Sequence, residues 1–212
     1  MLSDQDVVID SVKPISDHGN TYIIYNDAYP NEYYMIENRQ KTGWDQSYPA
    51  AGMMITHVDF DKDVWENNIP NSILTLEEAL QIERTCGNDH QRMTIFHADN
   101  DDQTTDFSLQ RDPYPYSKRD SLTDNSFPPA RLYTPNLAGK KLMGKPITNI
   151  TRNADLTISF HFYGNNEQTG IRDERLDWWN GERQVIYRMG ERTIWTPLDA
   201  TSHQKNQKFL SH

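Results

Sequence analysis

Six short apolar runs, set between clusters of Asp, Asn, Gly and Pro, constrain this chain more than any other feature. They are Val7–Val12, Thr21–Asn26, Glu32–Arg39, Gly52–Asp59, Arg92–His97 and Leu156–Tyr163. The runs are rich in Val, Ile, Tyr and Thr, the residues that fit a pleated surface. Their spacing predicts a mainly β chain, an antiparallel β-sandwich or half-barrel with one short helix and long loops, rather than βαβ units. The helix falls at Thr75–Arg84. Thr75 is placed to cap it, Glu77 and Glu78 lie in its first turn and Arg84 near its end, and Leu76, Ala79 and Leu80 form an apolar stripe. From Asp99 to Lys145 the chain reads as irregular, with acidic and proline-rich stretches.

The 212 residues fit one domain, or one domain plus a tail. Hydrophobic residues make up 35% and the mean hydropathy is −0.86, which predicts long surface loops or a piece that leans on a missing partner. The 11 Tyr, 7 Phe and 5 Trp argue against disorder. A net charge of −10 repels phosphate backbones, so nucleic acid is not an expected partner. Cys86 stands alone, which excludes an internal disulfide and a cysteine-based zinc site. No apolar run reaches the ~18 residues of a membrane helix. The acidic start MLSDQDVVID is not a signal peptide, so export would need a signal on sequence outside this chain.

Two strands carry ionisable groups in register with apolar ones. Alternation puts Tyr33, Met35, Glu37 and Arg39 on one face, and Met53, Ile55, His57 and Asp59 on another. Burying such groups costs free energy unless they are paired, so Glu37, Arg39, His57 and Asp59 are expected to form a fixed polar network. The pairs His57-x-Asp59 and His97-x-Asp99 share faces by the same rule. Asp59, Asp61 and Asp63 stand at alternate positions and are the candidate calcium ligands, since hard cations take several oxygens from one loop. They do not follow the EF-hand pattern, because Val64 and Pro70 occupy its glycine and glutamate positions. The acidic run Asp99–Asp106 is a second cation candidate against a solvated loop. Trp178, Trp179, Tyr187 and Trp195 read as an aromatic platform or a sheet cover. No H-x-x-x-H, G-x-S-x-G, P-loop or G-x-G-x-x-G occurs.

The blocks EYYMIENRQKTGWD and GMMITHVDFD, followed by WENN at 65–68, QRMTIFHADN at 91–100 and ITNIT at 147–151, resemble the region after the zinc site of secreted immune-inhibitor-A-type metallopeptidases. The resemblance spans roughly Val7 to Gly164, about three quarters of the 212 residues. It implies a β-rich domain at 1–164, then a linker, a hairpin and a polar tail at 165–212. It also implies a secreted or cell-envelope hydrolase that cleaves a protein or peptide substrate with zinc-bound water. The HExxH zinc motif is absent here, so zinc is expected only in the full-length family member and catalytic residues are expected to be none. The implied role is to brace the missing catalytic half, or to shape its cleft through the loops after Arg39 and Asp59. The alternative is a free-standing secreted binding module for glycan or protein. An enzyme with its own site at Glu37, His57 and Asp59 ranks third.

Overall fold

A computed structural model describes residues 7–162 and the backbone of strand 186–189. It is mainly β, with two antiparallel sheets. The strands are β1 (Val7–Val12), β2 (Thr21–Tyr25), β3 (Glu32–Arg39), β4 (Gly52–Asp59), β5 (Met93–Ile95), β6 (Ile147–Arg152), β7 (Ile158–Phe162) and β8 (Ile186–Met189). The larger sheet runs β5-β4-β3-β2-β8 and the smaller β1-β7-β6. No closed barrel forms among the described strands.

The two sheets share one core. Ile9 and Val12 of β1, Ile147 and Ile150 of β6, and Ile158, Phe160 and Phe162 of β7 pack with Tyr22, Ile24, Tyr34, Ile36, Met53 and Ile55 of the larger sheet. Tyr22 meets Phe160 edge-on at 6.0 Å between ring centres, a tie between the sheets. In β3 burial alternates: Glu32, Tyr34, Ile36 and Asn38 face the core while Tyr33, Met35, Glu37 and Arg39 are half-buried. β4, between two partner strands, is buried along its whole length.

Several expectations need correction. There are three short α-helices among the described residues, α1 (Lys62–Glu66), α2 (Leu76–Gln81) and α3 (Asp106–Leu109), not one, besides 3-10 turns at Ile15–Asp17 and Gly43–Asp45. α1 and α3 are single turns, too short for any apolar period to be visible, and each begins at a side-chain cap, Asp61 or Thr105. Thr75 caps α2 through a complete capping box with Glu78. ITNIT is a strand, β6, whose bulge at Asn149 (φ +53°) breaks the two-residue period. Of the 178–195 hairpin only Ile186–Met189 is described, as a strand paired with β2; Trp178, Trp179 and Trp195 lie outside the described residues.

The long segment 96–146 is not sheet, yet it is tied down at many points. Tyr114 exchanges backbone hydrogen bonds with Met53 and Leu122 with Ile147, and the Met143 amide donates to the Ala130 carbonyl. Lys145 is buried; its Nζ donates to the Tyr25 carbonyl and pairs with Asp27 at 2.7 Å. Burial pulls the Lys145 amine below its ordinary value, against the pull of Asp27.

Candidate functional site

The richest polar cluster lies at the end of the hairpin where β3 begins and β4 ends. Pairing places Glu32 opposite Asp59 and Tyr34 opposite His57. Glu32 is 0% exposed. Its carboxylate accepts from His57 Nε2 at 2.8 Å, from the Thr134 amide at 3.0 Å, from the Tyr133 amide and from Asn26 Nδ2. Burial alone would raise its pKa. The His57 hydrogen bond and the two amides outweigh burial and hold it below its ordinary value.

Tyr133 is held between two imidazoles. Its ring stacks on His57 at 5.1 Å and on His90 at 3.7 Å. Burial, then the charges of Asp59 and Glu32, raise the Tyr133 phenol. His90 Nε2 meets Asp59 Oδ2 at 2.9 Å, and Arg92 Nη1 meets the same oxygen at 2.7 Å. Arg92 also donates to Asn88 and Asp89.

This arrangement separates the four expected network residues. Glu37 and Arg39 bind each other, with Arg39 Nη2 to Glu37 Oε2 at 2.7 Å, and Arg39 reaches Asp45 at 3.2 Å. They lie on the face of β3 opposite to the one that His57 and Asp59 share with Glu32. The structure therefore holds two networks, one on each face and near opposite ends of the hairpin. His57 binds Glu32 rather than Asp59, and His97 binds Asp112 rather than Asp99. Asp112 is raised by burial, although His97 pulls the other way.

The calcium candidates do not converge. Asp59 is taken by Arg92 and His90, and Asp61 Oδ1 caps α1 by accepting from the Val64 amide. The chain leaves the strand after Asp59 and turns helical at Lys62, and residues two apart on a helix do not face each other. In the second acidic run, Asp99 and Asp101 both face Arg111, and Asp106 opens α3. Among the described residues, no group of three or more His, Cys, Asp or Glu side chains is placed to hold a metal ion. The zinc that the resemblance implies thus has no ligand set there.

Glu32, His90, Arg92 and Tyr133 were missed by the strand-face reading. A signal for Glu32 existed: it precedes Tyr34, Ile36 and Asn38 at period two, the row that the structure buries. Nothing in the sequence pairs Asp59 with residues 90 and 92.

No protein-family model, curated protein or solved structure matches this chain. The resemblance to the metallopeptidases therefore rests on its residue blocks alone. No helix among the described residues is long and apolar enough to cross a membrane.

Proposed function

We propose that this chain is a non-catalytic β-sandwich of a secreted immune-inhibitor-A-like zinc metallopeptidase, and that it braces the catalytic half. The observation that carries the reading is Trp44. The block most specific to the resemblance ends in GWD, and Trp44 there is 98% exposed. An indole in water adds nothing to this domain's own core. Its turn is nonetheless held firmly: Arg39, itself fixed by Glu37, grips Asp45, and Thr42 bonds Ser16 at 3.0 Å. A Trp carried on a fixed turn is the residue type that anchors protein interfaces.

The polar groups of the two blocks support the same reading. Glu32, Glu37, His57 and Asp59 are all engaged by internal partners. A carboxylate held ionised by amides and imidazole is a poor general acid. The antiparallel hairpin also sends the loops after Arg39 and after Asp59 to opposite ends, so one cleft can use only one of them. The exposed Trp44 favours the Arg39 end for the brace.

The purified chain should not cleave casein, with or without added zinc. The native polypeptide recovered with an antibody against it should carry zinc and cleave casein. Chelator-sensitive cleavage by the 212-residue chain, lost in a folded Glu37→Gln or His57→Ala variant, would overturn the proposal. Native material no larger than this chain and free of zinc would instead support a free-standing module.

A further inference from the structure

α2 turns its apolar stripe away from the core. Ala79 is its buried residue, while Leu76 and Leu80, one turn apart on the same side, are 55% and 60% exposed. Ile73 before the helix and Ile82 after it are 64% and 52% exposed. Four half-exposed aliphatics within ten residues leave apolar surface that a soluble domain normally covers. Ile73 also lines a groove of about 590 Å³, whose walls include Val64, Leu74, Cys86 and the carboxylates Asp61, Asp63 and Asp89.

This surface is built rigidly. The capping box fixes the start of α2. Leu74 and Asn88 exchange backbone hydrogen bonds at 2.9 and 2.7 Å, and the Asn88 carboxamide reaches the Ile69 and Ser72 carbonyls. Asn67 is bonded to Thr85. Gly87 lets the two segments touch: a Cβ there would stand 2.8 Å from the Leu74 carbonyl and 2.9 Å from the Leu76 amide. A preorganised surface loses little entropy when a partner arrives.

Charge selects the partner. From Asp61 to Asp89 the chain carries Asp61, Asp63, Glu66, Glu77, Glu78, Glu83 and Asp89 against Lys62 and Arg84 alone. Lys62 is already paired with Glu66. Arg92, at the groove wall, is held by Asp59 and Asp89. A second copy meeting this face in an isologous contact would set carboxylates against carboxylates, and an anionic lipid surface would be repelled as well.

We propose that the α2 face and its groove dock a cationic amphipathic segment of a protein partner, with aliphatic side chains against Leu76, Leu80 and Ile73 and lysine or arginine over the acidic rim. The assignment is independent of the peptidase reading.

The test uses the full chain and a fluorescein-labelled helical peptide of Leu and Lys, beside a Leu/Glu peptide of the same apolar pattern. The Leu/Lys peptide should bind saturably, and Leu76→Ser/Leu80→Ser should weaken it by about tenfold or more. Asp63→Asn/Glu83→Gln should weaken it and flatten its salt dependence. These positions are exposed, so circular dichroism should show the fold intact. Equal binding of the Leu/Glu peptide would overturn the proposal. So would undiminished binding to the double serine variant, or no saturable binding at all. A dimer in sedimentation that Leu76→Ser/Leu80→Ser dissolves would assign the face to a second copy and also overturn it.

Discussion

Glu32→Ala should lower the unfolding free energy by about 3–5 kcal/mol, among the largest losses available to a single substitution in this chain. The carboxylate is fully buried and takes hydrogen bonds from His57, Asn26 and the amides of Tyr133 and Thr134. Alanine leaves all four donors without that acceptor, inside the protein, and a water can replace only part of the set. The loss also weakens the tie of segment 131–134 to the hairpin, leaving Tyr34 and Asn26 to hold it through the Arg131 and Thr134 carbonyls. Denaturant unfolding checks this, with the exposed Glu66→Ala as control at no more than about 0.5 kcal/mol. A Glu32→Ala loss no larger than the control would show that the carboxylate does not hold the hairpin to this segment.

The same group sets a pH dependence with a definite sign. The folded pKa of Glu32 lies below its ordinary 4.5. Its contribution is therefore complete above the unfolded value and is lost as pH falls through the folded one. Wild-type stability should drop as pH falls below about 4.5, and Glu32→Gln should flatten that part of the curve. An unchanged slope in the Gln variant would remove Glu32 from the account.

Much of the β framework was legible because strands announce themselves by residue type and by the turns that bound them. β1, β3 and β4 fall on the runs Val7–Val12, Glu32–Arg39 and Gly52–Asp59. The face of β3 was not legible. Tyr33 and Met35 are as apolar as Tyr34 and Ile36, so both rows of the strand look like a core row, and choosing the first put Glu37 and Arg39 with His57. β4 could not correct the choice, because a strand buried on both faces carries no alternation. The site was hidden for a different reason. Tyr133 lies about 100 residues from Glu32 in sequence, inside a segment that reads as irregular, and only the fold brings its ring between His57 and His90. His90 and Arg92 could be seen only once the chain after Asp59 was known to return beside β4 as β5.

That return rests on Arg92, and Arg92→Ala should cost about 3 kcal/mol. The guanidinium meets Asp59 Oδ2 at 2.7 Å and also binds Asn88 and Asp89, joining the end of β4 to the segment that carries α2. Asp59 is buried and its other oxygen, Oδ1, already lacks a hydrogen-bond partner. Without Arg92, the remaining side-chain partner of that oxygen is His90 at 2.9 Å, whose other ring nitrogen is shared with Asp89 at 2.8 Å. The loss thus comes mostly from stranding Asp59, which gives the experiment its discriminating arm. Arg92→Ala/Asp59→Asn should recover at least about 1.5 kcal/mol relative to Arg92→Ala, because the buried charge is gone along with its partner. Additive losses in the double variant would mean that the two side chains act separately, and the tie between β4 and the α2 segment would then lie in the backbone pairs of Asp59 with Arg92 and of Arg92 with Pro70.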